Sequence, residues 1–498
     1  MRRGLNNVIS RIWHVIMAGI IIIIMFAGKI PYVSFHKRPF LLPNIIFFII
    51  GALLLAIINK VFSEERTRRI NVIVLYAAML ILPIFVAMGA MFITGWDAGG
   101  IFMDSIAVAR GESITYDYSS NPNNMLLFVL ASAIVKMAMK IGFTDIHFLY
   151  GSCVALQCIL FGITGWLVYD YLHVLRGKRI AVIGAFIYLI FIGVSPFVYI
   201  VYTDAMGLIF PVLMLWLSKR MPEDKTYKVF VKWLLILMVG ILGYYMKAPV
   251  FIMFIALFIS FCINSICLHT GKKLALDIII VLMVIGLGVF FKTAGMNIIT
   301  TAFEYTSGTT YDTERAKSIY HFLMIGLNKD NDGTTNPEDE AFSFEINNRS
   351  ERITQEKKRC KQRIADLGIS GFGNLYIHKI ALNFNDGSFG YAISGMDYIE
   401  QKFDDGEQLF GNIVKKIYWP GRGRFFIWIN YAQMLWLGIL AFALRYKVEN
   451  ENDYPAVIAL VGAILFTMIF EAQARYLFIW SPVFVVLAAS SMSRKSMN

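Results

Sequence analysis

Long apolar runs, separated for the most part by short polar connections, dominate the pattern along the chain. A helix needs about 20 predominantly apolar residues to cross a bilayer, and runs of this kind recur throughout the sequence. The pattern therefore predicts an all-α polytopic membrane protein with about 12 transmembrane helices, at 13–33, 42–59, 72–94, 147–172, 178–198, 201–218, 229–246, 249–268, 274–292, 425–444, 454–471 and 475–491.

Two segments interrupt this pattern, the loop 95–146 and the longer polar stretch 293–424. Within the first, the apolar stretch 124–141 is long enough to span, but counting it would invert the side of every later basic loop. We therefore expect a helix that lies along the outer interface, with Lys136 and Lys140 toward water. We expect 293–424 to form a mixed extracytoplasmic domain, because a loop of this length without function is unusual.

These segments divide the chain into four parts. The first is an N-terminal transmembrane hairpin with a cytoplasmic loop, and the second is a transmembrane core that contains the acidic outer loop. An extracytoplasmic domain and the C-terminal transmembrane helices follow. The predicted boundaries of the four parts are 1–71, 72–292, 293–424 and 425–498.

Lysine and arginine indicate the orientation. Cytoplasmic loops of membrane proteins carry an excess of these residues, and with the N-terminus inside, all but one of the basic clusters fall on the same side. They are Arg66 to Arg69, Arg176 to Arg179, Lys219 to Lys228, Lys272–Lys273, Arg445 to Lys447 and Arg494–Lys495, with Lys37–Arg38 as the exception. We expect a multi-pass protein of the plasma membrane with both termini in the cytoplasm.

The composition excludes the soluble classes. Hydrophobic residues make up 57% of the chain and charged residues 16%, with a mean hydropathy of +0.61, whereas soluble proteins carry roughly 25% charged residues. The basic inner loops account for most of the net charge of +12, and no basic stripe with interleaved aromatic residues indicates nucleic-acid binding. Four of the five cysteines lie in apolar runs, where thiols behave as small hydrophobic groups, so no metal site is predicted.

The first candidate for chemistry follows the third predicted span. Asp97 comes directly after Trp96 at the bilayer edge, and partial removal from water suits a carboxylate for general-base work. The alternative is that Asp97 caps a helix over 101–110. Asp104 lies two turns further on and would share a helix face with Asp97, although a solvated face is the favoured interpretation for it.

Two further candidates lie at the next outer edges. Asp204 could bind an acceptor, fix a basic partner or complement a helix dipole. Lys247 follows two tyrosines and could meet a phosphate as a point charge, or it could reach toward water from an apolar stem.

The last outer connection contains an acid and a base four residues apart. Arg475 is suited to bidentate phosphate contact, and Glu471 could orient it, with Tyr476 as a neighbour; a structural ion pair is the alternative. Asn121 and Asn123 flank a proline before the interfacial helix, a pattern that alone indicates a turn and a helix cap.

In this order and on this side, the motifs resemble the membrane-embedded GT-C glycosyltransferases, the superfamily of protein O-mannosyltransferases and lipid A aminoarabinose transferases. The resemblance rests on Trp96-Asp97, the Asn-Pro-Asn-Asn motif at 121–124, Tyr202-Thr203-Asp204 and Arg475-Tyr476-Leu-Phe with Pro482. Two strings of the outer domain, His321 to Asn328 and Lys379 to Phe389, further resemble Gram-positive members of the superfamily.

The resemblance implies an inverting transferase that takes a sugar from a polyprenyl-phosphate donor on the outer face of the membrane. Asp97 matches the acid that deprotonates an acceptor hydroxyl, and Asp204 matches a second outer acid for which Asp104 is a further candidate. Arg475 corresponds to the cation near the lipid phosphate, with Lys247 as its companion. The acceptor would be a cell-envelope glycan such as teichoic acid, a glycolipid or a protein.

The chain departs from the superfamily pattern in two ways. Many relatives have two adjacent acids where this chain has Asp97 followed by Ala98, so a divalent metal is not indicated as a cofactor. Relatives commonly have one span before the acidic loop, whereas three are predicted here.

Two other functions fit the same features. One is a flippase or exporter of lipid-linked oligosaccharide, and the other is a polymerase or ligase of glycans on lipid diphosphate carriers. Transporters place ionisable residues near the bilayer midplane and often have repeated halves. The candidates here lie at the outer edge, which favours the transferase.

Overall fold

The computed structural model describes residues 2–26, 44–391, 399–401, 411–419 and 424–493, which are almost entirely helical. The helices of the first half are α1 (Arg2–Phe26), α2 (Asn44–Val61), α3 (Glu64–Arg69), α4 (Val72–Ala90), α5 (Asp97–Ala109), α6 (Met125–Lys140), α7 (Ile146–Tyr188), α8 (Thr203–Met206), α9 (Ile209–Arg220) and α10 (Thr226–Met246). Those of the second half are α11 (Phe251–Leu268), α12 (Gly271–Ser307), α13 (Ile319–Gly326), α14 (Pro337–Phe344), α15 (Arg349–Phe384), α16 (Gly411–Tyr418), α17 (Phe425–Leu444), α18 (Tyr454–Ile469) and α19 (Ser481–Ser490).

The described residues contain ten helices that are long and apolar enough to cross a membrane, by length and composition. Three of them, α1, α2 and α4, precede the acidic loop, as predicted. The predicted number of about 12 is not confirmed, because two predicted spans are broken and a third is merged with its neighbour. The ten include the stretch Pro122–Lys140, which the sequence predicted to lie along the interface. The basic pair Lys37–Arg38 lies outside the described residues.

Helix α7 is a hairpin of two antiparallel helices. The backbone at Gly177 has φ 82° and ψ 173°, a conformation that glycine adopts readily. The Tyr188 hydroxyl donates to the Phe161 carbonyl at 2.7 Å, and a Cβ atom on Gly184 would meet Leu172. Such contacts are possible only if the chain reverses at Gly177, as predicted for these two adjacent spans.

Two predicted spans are not continuous helices. The span 201–218 divides into α8 and α9, and the span 475–491 begins with the 3₁₀ turn Ala474–Trp480 before α19. Both breaks lie next to the polar residues of the candidate site. Conversely, α12 continues beyond the predicted end at 292 to Ser307, where Gly308 ends it with φ 68°, a common helix terminus.

The regular secondary structure in the described part of 293–424 is helical apart from strand β2 (Ile399–Gln401), which pairs antiparallel with β1 (Ile93–Thr94) outside that segment. Further contacts join this segment to the acidic loop. The Lys317 amide donates to the Ser120 carbonyl at 3.3 Å, and Arg315 forms an ion pair with Asp117 at 2.7 Å. The expected mixed domain is therefore mainly helical in its described part, and it packs on the loop 95–146.

The basic loops converge at one end of the helices, which we call the basic end. Lys178 donates to the Arg68 carbonyl at 3.1 Å, and Arg176 pairs with Asp453 at 2.6 Å. Both ends of the described chain also lie here, because Asn6 donates to the Glu449 carbonyl and Arg179 to that of Met492. Arg494 and Lys495 lie outside the described residues.

Helices α4, α10 and α18 each lead from the basic end to the opposite end of the molecule. They contain 19, 21 and 16 residues, which correspond to lengths of roughly 24–32 Å at 1.5 Å per residue. The connections that follow them carry the polar residues that the sequence analysis placed at the outer edge. The opposite end is therefore where the candidate site lies.

Candidate functional site

Connections from four parts of the chain meet at the end of the helices opposite the basic end. They precede α5, begin α8, follow α10 and follow α18. We call the side chains that they bring together the site cluster, which consists of Trp96, Asp97, Tyr202, Asp204, Lys247, Glu471, Arg475 and Tyr476. Seven of these eight residues were predicted as site residues; Tyr202 was recognised only as part of a motif.

Asp97 is the first residue of α5, so its carboxylate lies in the first turn, where the helix dipole favours a negative charge. The alternative that it caps a helix over 101–110 is wrong, since the helix already begins at Asp97. The Tyr202 hydroxyl donates to Asp97 Oδ2 at 3.1 Å. The rings of Trp96 and Tyr202 pack edge to face with centroids 4.7 Å apart.

A second tyrosine faces Asp97. The Asn124 amide donates to the Tyr116 hydroxyl oxygen at 2.8 Å, which leaves the hydroxyl hydrogen of Tyr116 free to point elsewhere. Burial raises the pKa of Tyr116, and the charge of Asp97 raises it further. Two phenols, those of Tyr202 and Tyr116, therefore face the carboxylate of Asp97.

Asp104, Asn121 and Asn123 lie outside the site cluster. Asp104 is 1% exposed, so it does not lie on a solvated face. Its carboxylate accepts hydrogen bonds from the amides of Thr115 and Tyr116 at 2.8 and 3.0 Å. Asn121 and Asn123 donate to neighbours within the same loop. Asp104 thus fixes the loop segment that carries Tyr116.

Lys247 and Asp204 form a buried ion pair. The ammonium Nζ lies 3.0 Å from Oδ2 and 2.9 Å from Oδ1 of Asp204, and the two residues are 8% and 0% exposed. Lys247 also lies over the rings of Tyr202 and Tyr476, at 5.4 and 4.7 Å from their centroids. Of the roles considered for Asp204, the structure shows that of a partner for a basic residue. Lys247 is buried and does not reach toward water.

Arg475 is packed between aromatic rings. Its Cζ atom lies 5.0, 5.5 and 5.7 Å from the ring centroids of Trp96, Tyr202 and Tyr476. The nearest carboxylate is Asp204, whose Oδ2 lies 3.9 Å from Nε. The guanidinium makes no hydrogen bond to any residue that the structure describes, so its donors are available to a ligand.

Glu471 does not orient Arg475, contrary to one prediction, and no ion pair joins them within the described residues. Glu471 instead accepts hydrogen bonds from the Tyr476 hydroxyl at 2.9 Å and from the Gln473 amide at 3.2 Å. The prediction assumed helical spacing between residues four apart. The chain is not helical over 471–473, and this spacing therefore does not bring the two side chains together.

A small cavity lies beside Arg475. Its walls are largely aromatic and are formed by Phe92, Thr94, Trp96, Phe197, Ile200, Phe389, Gly390, Tyr391 and Arg475. Thr94 is 3% exposed, and its hydroxyl has no hydrogen-bond partner among the described residues. The cavity thus combines the Arg475 guanidinium and the Thr94 hydroxyl, unpartnered within the described residues, with largely aromatic walls.

One wall of the cavity is a buried turn after α15 that the sequence analysis did not predict. Asp386 accepts hydrogen bonds from the Ser388 amide at 2.8 Å and from the Gly390 amide at 2.7 Å. Between them Phe389 adopts φ 52°, a left-handed conformation that non-glycine residues rarely adopt. Gly387 is required, because a Cβ atom would lie 2.4 Å from the Ala432 carbonyl oxygen.

No cluster of three or more His, Cys, Asp or Glu side chains that could hold a metal ion occurs in the part of the chain that the structure describes. The cations near the site cluster are instead Lys247 and Arg475. Lys247 is paired with Asp204 at hydrogen-bond distance, whereas Arg475 has no carboxylate that close among the described residues.

The fold and the site cluster define the class of protein, a helical membrane protein with polar side chains gathered where its apolar helices end. A family described as conserved hypothetical integral membrane protein matches residues 8–496, and the chain belongs to this family. No curated protein matches the chain. The family confirms that the protein is integral to the membrane and that the lipid bilayer is its partner.

Proposed function

We propose that the protein is a membrane glycosyltransferase that moves a sugar from a polyprenyl-phosphate donor to an acceptor hydroxyl at the outer face of the plasma membrane. The observation that supports this most directly is the meeting of Arg475, a cation with free donors, and Asp97, a carboxylate with phenolic partners, in one cluster. The first can bind a phosphate, and the second can accept a proton.

Arg475 would bind the donor phosphate. A guanidinium presents several N–H groups in a fork that matches phosphate oxygens, and this one is not engaged by a carboxylate at hydrogen-bond distance. Lys247 is engaged by Asp204, so its contribution would be positive charge rather than direct contact. Preorganised charges of this kind stabilise the negative charge that develops on a leaving phosphate.

Asp97 would act as the general base. The acceptor oxygen attacks the anomeric carbon, the bond from that carbon to the phosphate oxygen breaks, and the hydroxyl proton passes to Asp97. The bonding electrons leave with the polyprenyl phosphate, whose charge Arg475 stabilises. A single displacement of this kind inverts the configuration at the anomeric carbon.

The position of the cluster supports an enzyme over an exporter. Its residues lie where α4, α10 and α18 end, whereas transporters place ionisable residues near the bilayer midplane. Both ends of the described chain lie at the basic end, which supports a cytoplasmic location for both termini. The site would then face outward, where an envelope glycan, glycolipid or protein acceptor is available.

The Asp97→Asn variant tests the chemical step. Vesicles that contain the purified protein, a lipid-linked sugar and an acceptor fraction should lose transfer by about 10²–10⁴-fold, the usual contribution of a general base. Binding of undecaprenyl phosphate should persist, because the amide leaves Arg475 in place. The mechanism is wrong if Asp97→Asn transfers sugar at the wild-type rate.

An experiment in cells would identify the transferred sugar. Deletion of the protein should remove one sugar from a surface polymer, glycolipid or protein, and the wild-type chain should restore it whereas Asp97→Asn should not. Unchanged glycans together with an accumulated lipid-linked oligosaccharide in the inner leaflet would instead indicate an exporter.

A further inference from the structure

A fully buried lysine lies behind the site cluster, at the base of the connection that carries Arg475. Lys379 of α15 is 0% exposed. Its ammonium donates to three backbone carbonyls, those of Gly326 at 2.9 Å, Met468 at 2.7 Å and Phe470 at 2.6 Å. All three N–H groups of the ammonium are thereby used.

The three carbonyls belong to two helix ends. Gly326 is the last residue of α13, and Met468 and Phe470 lie at the end of α18. The last four carbonyls of a helix have no partner within it, and a cation is favourable at this end of the dipole. Lys379 therefore caps two helices at once and joins them.

Two glycines tighten the same junction. The Ala472 amide donates to the Gly333 carbonyl at 2.8 Å, so residues on both sides of Glu471 are held. A Cβ atom on Gly326 would lie 2.6 Å from the Ile469 carbonyl oxygen, which shows how closely α13 approaches the connection. The segment 468–472 is thus fixed immediately before it reaches Arg475.

Burial lowers the pKa of Lys379 to about 7, whereas Glu471 acts in the opposite direction. A charged ammonium is therefore costly at this position, and the three carbonyls offset that cost. A methionine-like side chain would fill the same space without requiring any partner. A lysine at this buried position is explained by a need for directed hydrogen bonds at the junction.

We infer that Lys379 is the positioning residue of the phosphate site: it fixes the connection 468–475 and so holds the Arg475 guanidinium against Trp96. This inference rests on the proposed role of Arg475 in binding phosphate. The described part of 293–424 would then have a structural role at the site, since its helices α13 and α15 supply the junction.

The test uses full-length protein in nanodiscs, with undecaprenyl phosphate as the probe and undecaprenol as the lipid without phosphate. Lys379→Met should weaken binding of the probe by about tenfold or more. In the background of Arg475→Met, which should weaken binding but leave it measurable, Lys379→Met should have no further effect, because it acts through Arg475. Lys361→Met, at an exposed position of α15 before its kink at Gly368, is the control and should bind like the wild type.

A second measurement does not depend on the ligand. The emission of Trp96, taken as the difference between the protein and its Trp96→Phe variant, reports the guanidinium 5.0 Å from its ring. Lys379→Met should change this emission toward that of Arg475→Met. Where Lys379→Met does not fold, Lys379→Arg, which retains the charge, should give a smaller change in the same direction.

The outcomes separate the two proposals. If the wild-type protein binds undecaprenyl phosphate no better than undecaprenol, the proposed phosphate site fails, and the Trp96 emission still tests Lys379. If Lys379→Met, or the arginine variant in its place, leaves both binding and emission unchanged, the positioning role is overturned.

Discussion

At the scale of single residues, the two cations of the site cluster differ in what surrounds them. Lys247 is neutralised by Asp204, whereas the guanidinium of Arg475 lies among aromatic rings, with Asp204 beyond hydrogen-bond distance at 3.9 Å. The sequence placed both residues at the same edge and could not distinguish them, because the pairing of Lys247 with Asp204 joins positions 43 residues apart. The distinction decides which cation can bind a ligand.

The buried pair predicts an effect on stability. Asp204→Asn should lower the free energy of unfolding by roughly 3–5 kcal/mol, because it leaves the Lys247 ammonium buried without its partner. The double variant Asp204→Asn/Lys247→Met should recover most of this loss, since it removes the uncompensated charge. Thermal unfolding in one detergent measures all three proteins. A single variant as stable as the wild type would contradict the pairing.

The position of Tyr116 opposite Asp97 leads to a prediction about activity. Tyr116→Phe should reduce transfer by about tenfold, the equivalent of one hydrogen bond to a charged group. In an Asp97→Asn background the same substitution should change nothing, because the carboxylate that Tyr116 faces is gone. The transfer rates of the four proteins give this comparison directly. Equal losses in both backgrounds would assign Tyr116 a role independent of Asp97.

At the scale of helices, the sequence predicts where apolar helices lie better than it predicts which of them touch. The close crossing of α2 and α17 illustrates this limit. A Cβ atom on Gly51 would lie 2.1 Å from the Met434 carbonyl oxygen, and one on Gly438 would lie 2.6 Å from that of Gly51. Small residues permit such approaches between membrane helices, but glycines in other apolar runs look the same in the sequence.

The crossing predicts a contrast between two glycines. Gly438→Ala should lower the free energy of unfolding by about 1–3 kcal/mol, because the added methyl group forces the helices apart. Gly286→Ala on α12 is the matched control, since a Cβ atom there meets nothing within 4 Å. That control should be neutral or slightly stabilising. Equal thermal stability of the two variants would show that the helices do not cross at Gly438.

Departures from regular helices were the least predictable elements. Periodicity identifies apolar stretches, but it does not indicate that a stretch will break, as 201–218 does between α8 and α9. Periodicity also does not reveal the buried turn around Asp386. The polar groups of this turn are satisfied by residues such as Gln433, 46 positions away. Burial of such a turn depends on tertiary partners.

At the scale of the whole molecule, the sequence predicted that the basic residues gather on one side. It predicted only some of the residues that form the site. Sorting ionisable residues by side singled out five at the outer edge, and these do come together: Asp97, Asp204, Lys247, Glu471 and Arg475. The same reasoning missed Tyr116 and Lys379, since their importance lies in which groups they meet. A lysine that caps two distant helix ends has no local pattern to identify it.

The orientation of the whole molecule gives a further prediction. With all five natural cysteines replaced, Glu65→Cys lies on the exposed surface of α3 at the basic end, and Asp330→Cys lies on the exposed turn after α13. In intact cells a maleimide that does not cross membranes should label only position 330, because basic loops remain in the cytoplasm. After permeabilisation both positions should react, which controls for accessibility. Labelling of position 65 alone in intact cells would place the site cluster on the cytoplasmic side, where transfer to an acceptor outside the membrane could not take place.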